Sequence, residues 1–405
     1  MNAPATFSSY LRADGRKGIR NVVLVAYLVE CAHHVARQIV SKADDPSIQL
    51  VGFAGCYPNP YAFRIMEQIA THPNVGGILF VSLGCEGFDR GGIARLVEAS
   101  GRPVETLVIQ QEGGTRATLD AGIAAVRRLR EQADQVPKVQ MALSELVVGT
   151  ICGGSDGTSG ITANPAVGVC FDELIAEGAT CIFEETGELI GCEQVMADRA
   201  ITPELGARIE QAVVKAERYY TTLGYGSFSP GNSDGGLTTQ EEKSLGAYSK
   251  SGNSPISGLI KPGEVPPAPG LYLMDVVPDG EVRFGFPNIS DNAEIVELIA
   301  SGSHLVLFTT GRGSVVGSAV SPVIKICANP ETYDRLAGDM DVNAGRMLRG
   351  EASLGEVGRE IFELVTEVAG GRQSVSEQLG HQEFVLTYKH FEPSGPACMP
   401  VRSGR

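Results

Sequence analysis

The chain has 405 residues, of which 43% are hydrophobic, and its formal net charge at pH 7 is −15. This length is enough for two domains, each with its own core. An acidic chain without a basic stripe is a poor nucleic-acid binder, because phosphate contacts need clustered lysine and arginine. No apolar run reaches the roughly 20 residues of a membrane helix, and the N-terminus lacks the pattern of a signal peptide. We expect a cytoplasmic protein.

The first third of the chain alternates between short apolar runs and helical segments. Four runs are typical of buried parallel strands, at residues 21–27, 48–53, 77–82 and 104–109. Helical segments follow them near residues 31–41, 61–71, 91–100 and 115–132. Four strand–helix units in this order predict a doubly wound parallel sheet, as a Rossmann-like domain over residues 8–135.

The pattern changes after a polar, proline-containing segment at 133–138. Strands are predicted at 147–151, 180–183, 305–308 and 323–326, and helices at 203–223 and 357–369. We expect a larger α/β catalytic domain over residues 139–388. The segment 231–269 is rich in glycine, serine and proline, which predicts a long loop that is functional or disordered. The last residues, 389–405, are expected to form a flexible tail.

Three cysteines follow predicted strands within glycine-rich turns. They are Cys56 in Gly55-Cys56, Cys85 in Gly84-Cys85-Glu86, and Cys152 in Cys152-Gly-Gly-Ser-Asp-Gly157. The nine cysteines of the chain are an odd number and form no Cys-x-x-Cys pair, so free thiols are expected rather than a disulfide framework. Thiols at the carboxyl ends of strands could converge on iron or another soft metal. The alternative is three small buried cysteines at tight turns.

The segment from Cys152 to Pro165 combines glycines with short polar side chains. Glycines let the backbone approach a ligand closely. A helix is predicted to begin at Pro165 with Asn164 as its N-cap, and such an N-terminus favours a carboxylate. The predicted substrate-binding residues are Ser155, Ser159, Thr162 and Asn164, with Asp156 beside them. The alternative is a well-capped loop without a ligand.

Cationic residues occur in two later segments. Lys243 could act as a general base if desolvation lowers its pKa, or simply hold an anion. Arg312 lies between glycines after an apolar run, in Phe308-Thr-Thr-Gly-Arg-Gly313, and is suited to bind a carboxylate. With it we predict three further substrate-binding residues, namely Thr309, Thr310 and Lys325. No GxGxxG or Walker A sequence follows a strand, so no nucleotide cofactor is expected.

Together these segments resemble the altronate/galactarate dehydratase family of sugar-acid lyases. The resemblance is carried by Tyr10-Leu-Arg-Ala-Asp-Gly-Arg-Lys-Gly-Ile-Arg-Asn21, Leu83-Gly-Cys-Glu86, Cys152-Gly-Gly-Ser-Asp-Gly157, Gly160-Ile-Thr-Ala-Asn-Pro165, Gly235-Gly-Leu-Thr-Thr239, Glu242-Lys-Ser-Leu-Gly246, Phe308-Thr-Thr-Gly-Arg-Gly313 and Asp341-Val-Asn-Ala-Gly345. The match extends from about residue 8 to about residue 385.

The resemblance implies an iron-dependent β-elimination that converts a small hydroxy acid, sugar acid or sulfonated hydroxy acid into a 2-oxo acid. Iron, as Fe²⁺ or an iron–sulfur cluster, would be held by Cys56, Cys85 and Cys152. Lys243, Glu86 and Asp156 are then the catalytic candidates. The leaving group is hydroxide or, as in a sulfolactate sulfo-lyase, sulfite.

Two departures from the family pattern shape these expectations. Full-length members resemble this region fused to a small β-rich N-terminal domain, so we expect a large subunit with a separate small β-rich partner and an oligomeric assembly. Sugar-acid dehydratases also tend to carry a histidine shortly before the Gly-Cys that Gly55-Cys56 matches, and this chain reads Val51-Gly-Phe-Ala-Gly-Cys56. A smaller hydroxy acid is therefore plausible. The other class of function is a non-catalytic metabolite-binding or scaffolding subunit; a dinucleotide oxidoreductase is disfavoured.

Overall fold

The computed structural model describes residues 6–224, 230–279, 290–387 and 389. Two compact units divide the chain: an N-terminal unit formed mainly by Tyr10–Val139, and a C-terminal unit formed mainly by Gln140–Val282 and Ile289–Glu383. In the part of the chain that is described, no helix is both long and apolar enough to cross a membrane. Apart from Lys389, the predicted flexible tail at 389–405 lies outside the described residues.

The strands are short and most of them are buried. They are β1 (Thr6–Leu11), β2 (Lys17–Gly18), β3 (Val22–Tyr27), β4 (Ile48–Gly52), β5 (Val75–Ser82), β6 (Val104–Val108), β7 (Lys138–Ala142), β8 (Val147–Cys152), β9 (Thr180–Phe183), β10 (Ile256–Ile260), β11 (Gly270–Met274), β12 (Leu305–Thr310), β13 (Val323–Cys327) and β14 (Val342–Asn343). Strands β1, β2 and β7 form a small separate sheet in the order β2-β1-β7.

Helices connect the strands of both larger sheets. They are α1 (Glu30–Ala43), α2 (Pro60–Ala70), α3 (Arg90–Ala99), α4 (Ile109–Glu112), α5 (Thr115–Asp134), α6 (Ala163–Ala176), α7 (Glu193–Ala197), α8 (Pro203–Leu223), α9 (Pro230–Asp234), α10 (Gln240–Ser249), α11 (Asp291–Ala300), α12 (Pro330–Leu336), α13 (Leu354–Ala369) and α14 (Val375–Leu379).

The N-terminal unit contains a four-stranded parallel sheet in the order β4-β3-β5-β6. Strand β5 is buried along its whole length, as expected for a strand covered on both faces. Helix α1 turns Ala32, Val35, Ala36 and Ile39 toward the sheet, which is the i, i+3, i+4, i+7 spacing of an apolar helix face. The predicted doubly wound parallel sheet is confirmed.

The C-terminal unit contains a seven-stranded parallel sheet in the order β10-β11-β9-β8-β12-β13-β14. The chain starts in the middle at β8 and continues to its neighbour β9. It then forms the edge strand β10, returns between β10 and β9 as β11, and crosses to the other side of β8 as β12. The order therefore reverses between β8 and β12. In open α/β sheets, ligands bind outside the carboxyl ends of the strands at such a reversal. The larger α/β region predicted after the first sheet is confirmed.

Two local predictions are wrong. The segment 231–269 is not a long loop, because it contains most of α9, all of α10 and all of β10. Helix α10 buries Lys243, Ser244, Gly246 and Ala247, which are polar or small. Its sequence therefore lacks the apolar stripe from which an amphipathic helix is predicted. Helix α6 begins at Ala163 with Thr162 as its N-cap, and Asn164 instead donates from Nδ2 to Gly246 O at 2.9 Å.

Helices α6 and α10 approach closely at a glycine. A Cβ added at Gly168 would lie 2.3 Å from Ser249 O and 3.0 Å from Gly252 N. We therefore expect Gly168→Ala to lower the free energy of unfolding by about 1–3 kcal/mol in urea denaturation, since the backbone must shift. The control is Gly355→Ala in α13, where the added Cβ meets nothing within 4 Å. Equal losses in the two variants would contradict this packing.

Candidate active site

The candidate site lies at the carboxyl ends of β8 and β9, which are adjacent parallel strands. Strand β8 ends at Cys152, and the segment after β9 continues as Glu184-Glu185 and a one-turn helix, Thr186–Leu189. Helix α10 supplies Lys243 near its start and Lys250 at its C-cap. Seven residues are close to two helical turns, so both lysines lie on one side of α10.

Five buried or nearly buried side chains contact one another here, and we call them the Cys152 cluster: Cys152, Glu185, Glu188, Lys243 and Lys250. Lys243 Nζ lies 2.6 Å from Glu188 Oε2 and 3.0 Å from Cys152 Sγ. Cys152 Sγ lies 3.3 Å from Glu188 Oε2. Lys250 forms a short ion pair with Glu185. If Cys152 is a neutral thiol, the two ammonium groups and the two carboxylates give the cluster no net charge.

Glu185 fixes the backbone of this cluster. Its Oε1 accepts a hydrogen bond from Cys152 N at 2.8 Å, and its other oxygen pairs with Lys250. Glu185 adopts φ 95°, a left-handed conformation that costs a non-glycine residue free energy. Burial acts to raise the pKa of Glu185, but Lys250, Lys243 and the hydrogen bonds outweigh it and the pKa is lowered. Glu185 is therefore a permanent carboxylate that holds the strand end.

Lys243 and Glu188 have pKa values displaced from their ordinary ranges. Burial acts to lower the pKa of Lys243, but the Cys152 sulfur and the carboxylates of Glu188 and Glu185 raise it above the ordinary value. Lys243 is therefore an ammonium. A lysine needs a lowered pKa to act as a general base, and the pKa of Lys243 is raised instead. Burial raises the pKa of Glu188, against the opposing effect of Lys243, and Glu185 adds to the rise. Of the two glutamates in the cluster, Glu188 is the one whose pKa is raised.

Burial also raises the pKa of the Cys152 thiol, and the two glutamates add to the effect against the opposing lysines. Ser155 lies on the other side of Lys243. Its Oγ accepts from Lys243 Nζ at 2.9 Å and lies 3.4 Å from Cys152 Sγ. The Ser155 N–H donates to Asn232 Oδ1 at 2.9 Å, which anchors the loop. Lys243 is therefore held by a carboxylate, a thiol and a hydroxyl.

A cavity of about 140 Å³ lies beside the cluster. Its wall carries Cys152, Glu185 and Glu188 from the cluster, and Asp291 from the start of α11. Burial raises the pKa of Asp291, and the neighbouring Glu185 carboxylate adds to the rise. The rest of the lining is Gly153, Gly154, Gly187, Tyr220, Asn232, Val276 and Glu294. Room for a small polar molecule therefore adjoins the Cys152 thiol and several carboxyl groups, and Lys243 contacts two of these wall groups, Cys152 and Glu188.

The predicted substrate loop is held mainly by its own hydrogen bonds. Asp156 Oδ1 accepts from Thr158 N at 2.9 Å and its Oδ2 accepts from Asn329 Nδ2 at 2.8 Å. Ser159 Oγ accepts from Asp156 N at 3.0 Å, and Thr162 Oγ1 donates to Ala328 O at 2.9 Å. Ser155 is the member of this set that contacts the Cys152 cluster directly. A role for the others in binding substrate stays a prediction.

The residues predicted around Arg312 lie in different surroundings. Thr309 pairs with Cys152 across β12 and β8, and its buried Oγ1 has no hydrogen-bond partner among the described residues. Thr310 Oγ1 donates to Gly154 O at 3.0 Å, so it ties the two loops together. Arg312 is exposed. Lys325 is buried, and its Nζ lies 3.2 Å from His381 Nδ1.

The remaining predicted residues belong to the N-terminal unit. Cys56 and Cys85 are exposed, following β4 and β5, whereas Cys152 is buried in the C-terminal unit. Glu86 accepts from Gly84 N at 2.8 Å and from Ser82 Oγ, so its carboxylate holds its own turn. The joint metal site of Cys56, Cys85 and Cys152, and a catalytic role for Glu86, stay predictions.

Sequence reasoning missed Glu185, Glu188 and Lys250. A signal for the glutamates was present, because Glu184-Glu185 directly follows the predicted strand 180–183, as polar residues follow the other site-forming strands. Lys250 had no such signal, since the helix that carries it was predicted as loop. Asp291 follows residues 280–289, which lie outside the described part of the chain.

Three donor groups of the Cys152 cluster are of the types that bind metal ions. Cys152 Sγ and one carboxylate oxygen from each of Glu185 and Glu188 lie within 4.8 Å of one another. The same groups already contact ammonium groups, Lys243 on Cys152 and Glu188, and Lys250 on Glu185. A cation placed among them would face two positive charges at contact distance in a buried site. Donor type and spacing suit a metal, whereas the charge distribution does not.

Comparison with known proteins decides the family. The family model described as D-galactarate/altronate dehydratase, C-terminal, matches residues 143–391. A second model, described as D-galactarate dehydratase/altronate hydrolase, second domain, matches residues 9–134. The chain belongs to the D-galactarate/altronate dehydratase family. The resemblance seen in its motifs is confirmed.

Curated relatives of this family member carry lyase names. The chain is 34% identical to (2R)-sulfolactate sulfo-lyase subunit beta of Chromohalobacter salexigens, over 94% of this chain and 97% of that protein. It is 31% identical to altronate dehydratase of Bacillus subtilis, over 95% of this chain and 78% of that protein. It is also 31% identical to galactarate dehydratase (L-threo-forming) of Escherichia coli, over 93% and 75% of the two chains. These names make it a member of a lyase family.

The ion pair of Lys250 and Glu185 gives a stability prediction. Lys250→Met leaves the Glu185 carboxylate buried without its ammonium partner, so we expect a loss of about 3–5 kcal/mol in the free energy of unfolding. Glu185→Gln in the same chain should restore much of it by removing the buried charge. The measurement is urea denaturation.

The control for this pair is Lys261→Met. Lys261 is 26% exposed, and its partner Asp275 keeps a second ammonium, that of Lys215. We expect a loss of only about 0–1 kcal/mol, as for partly exposed pairs. If Lys250→Met cost no more than this control, the Glu185–Lys250 pair would not hold the strand end.

Proposed function

We propose that this chain is the large, catalytic subunit of a lyase that converts a small hydroxy acid into a 2-oxo acid by β-elimination. The observation that carries the proposal is the buried Lys243 ammonium, held by Ser155 and by two groups in the wall of a polar cavity, Glu188 and Cys152. Family membership supports the reaction class. A scaffold without chemistry has no evident need for such buried, mutually dependent charges.

Glu188 and Lys243 each carry out one proton transfer in the proposed reaction. Glu188, with its raised pKa, accepts the proton from the carbon next to the substrate carboxylate. The bond from the β carbon to the leaving group then breaks and its electron pair leaves with that group. A departing hydroxide takes a proton from the Lys243 ammonium and leaves as water. The enol that remains tautomerises to the 2-oxo acid.

Iron is the cofactor that we propose, following the family resemblance. Bound iron supplies a Lewis acid that polarises substrate oxygens. The Cys152 cluster, as arranged, does not fit a resident iron, because Lys243 and Lys250 already contact its donor groups. The steps above therefore use only the side chains of the chain.

Sulfite release is the second candidate reaction. It is favoured by the sulfo-lyase subunit beta, which is matched over 97% of its length. Sulfite departs as a stable anion without a proton, so it needs no general acid. We also propose a small partner subunit, since that relative is named as one subunit of its enzyme.

The test of function uses the protein purified without oxygen, alone and together with a candidate small subunit. The substrates are (2R)-sulfolactate, altronate, galactarate and small 2,3-dihydroxy acids, which carry a leaving group on the β carbon. We expect 2-oxo acid from at least one of them, with an equal amount of sulfite if sulfolactate is the substrate. Absence of 2-oxo acid from all of them, with iron present, would remove the proposal.

The role of Glu188 gives a pH prediction. Because burial raises its pKa, kcat should fall with decreasing pH at a higher pH than an ordinary glutamate would allow. Glu188→Gln should lower kcat by about 10²–10⁴-fold, the usual contribution of a general base. The matched control is Glu242→Gln, since Glu242 is exposed and bonds to Thr238. An unchanged acid limb of the pH profile in Glu188→Gln would assign the base elsewhere.

A further inference from the structure

Tyr220 lies in the wall of the cavity beside the Cys152 cluster and has no part in the reaction steps above. It belongs to the last turn of α8 and is buried, with 7% of the residue exposed. A buried tyrosine hydroxyl usually has a hydrogen-bond partner. The Tyr220 hydroxyl forms no hydrogen bond within the described part of the chain. It is therefore a polar group that the fold leaves available at the cavity.

Gly187 makes room for this hydroxyl. It lies in the same wall, within the one-turn helix Thr186–Leu189 that carries Glu188. A Cβ added at Gly187 would lie 2.1 Å from Tyr220 Cε2 and 2.8 Å from the Tyr220 hydroxyl oxygen. Glycine is a poor helix former, and a helical backbone does not require it. Contact with the Tyr220 ring accounts for the glycine, and it places the hydroxyl beside the turn that carries Glu188.

The charged groups around this cavity offer mainly hydrogen-bond acceptors. Four carboxyl groups stand in the wall, those of Glu185, Glu188, Asp291 and Glu294. The ammonium of Lys243 has three N–H donors. It also has three partners within the protein, namely Glu188 Oε2, Cys152 Sγ and Ser155 Oγ. The Tyr220 hydroxyl therefore adds a donor without a partner to a wall in which acceptors predominate.

Tyr220 keeps its proton over the pH range in which enzymes usually work. Burial raises the pKa of its hydroxyl well above the ordinary value, and the carboxylates of Glu294, Glu184 and Glu188 add to the rise. A neutral phenol donates a hydrogen bond and brings no charge of its own. Tyr220 is therefore suited to donate to an oxygen atom of a bound molecule, and not to remove a proton from it.

The proposed reaction needs such a donor at the substrate carboxylate. When Glu188 removes the proton from the α carbon, the electron pair of the C–H bond moves toward the carboxyl group, and the carboxyl oxygens gain negative charge. The pair then forms the double bond to the β carbon, while the leaving group departs with the electrons of its own bond. Donors that already point to such developing charge often make the largest single contribution to catalysis.

We propose that the Tyr220 hydroxyl is a catalytic group of this site, which donates a hydrogen bond to the substrate carboxylate oxygen on which negative charge develops. The proton stays on Tyr220 throughout, because the hydroxyl donates a hydrogen bond and transfers no proton. The inference rests on the proposed function, since it concerns the same elimination. The hydroxyl acts at the removal of the α proton, so its effect is the same for water and for sulfite as the leaving group.

The test compares Tyr220→Phe with the control Tyr219→Phe in the full chain. Each variant removes one hydroxyl from α8, and Tyr219 lines a different cavity, together with Lys215 and Arg218. Because the Tyr220 hydroxyl has no partner within the described chain, Tyr220→Phe should leave the midpoint of urea unfolding unchanged. A lowered midpoint would show that the hydroxyl has a structural partner, which contradicts the proposal.

Binding is measured by isothermal titration calorimetry and needs no turnover. The probe is the nitronate of 2-nitroethanol, which carries its negative charge on two oxygens as the reacting carboxyl group does, and neutral 2-nitroethanol is the reference. The wild type and Tyr219→Phe should bind the nitronate more tightly than the neutral compound. Tyr220→Phe should bind the nitronate about 10–100-fold more weakly than the wild type, as expected for the loss of one hydrogen bond to a charged group.

Turnover is measured with the acid that the wild type converts. In Tyr220→Phe, kcat should fall about 10²–10³-fold, the usual effect of removing one such donor, with a much smaller change in KM. Tyr219→Phe should keep both constants. A wild type that does not prefer the nitronate, equal nitronate affinity in the wild type and Tyr220→Phe, or an unchanged kcat would overturn the proposal. Nitronate binding that depends on Tyr220, in a protein that forms no 2-oxo acid, would contradict the proposed function alone.

Discussion

The architecture of the C-terminal unit depends on placing two ammonium groups beside two carboxylates away from water. Burying any one of these charges alone is strongly unfavourable, so each must find its partner in the folded state. Lys250 pairs with Glu185 and Lys243 with Glu188. This requirement fixes α10 against the ends of β8 and β9. It also explains the left-handed backbone of Glu185, because the carboxylate must reach both Cys152 N and Lys250.

Much of the fold could be predicted because buried parallel strands have a simple sequence signature. Strands covered on both faces need continuous apolar runs, and β3, β5, β8 and β12 have them. Helix α10 could not be recognised by the same reasoning. Its buried side consists of Lys243, Ser244, Gly246 and Ala247, so it lacks the apolar face from which a helix is predicted.

The candidate site was predictable only in part, for a similar reason. Polar residues after strands led to Cys152 and Ser155, which both contact Lys243. The direction of the Lys243 pKa also could not be predicted, since it depends on Glu188 and Glu185, which lie more than fifty residues away in the sequence.

The short contact between Glu188 and Lys243 has a consequence for the proposed reaction. Water elimination moves one proton from the substrate to Glu188 and another from Lys243 to the departing hydroxide. Glu188 Oε2 lies 2.6 Å from Lys243 Nζ, so the proton gained by one can pass directly to the other. The resting charges are then restored without exchange with solvent. Sulfite elimination leaves the proton on Glu188, which must then be lost to water. A buried pair that regains its resting charges without solvent therefore suits dehydration better than sulfite release. The similarity to the sulfo-lyase subunit favours sulfite release instead.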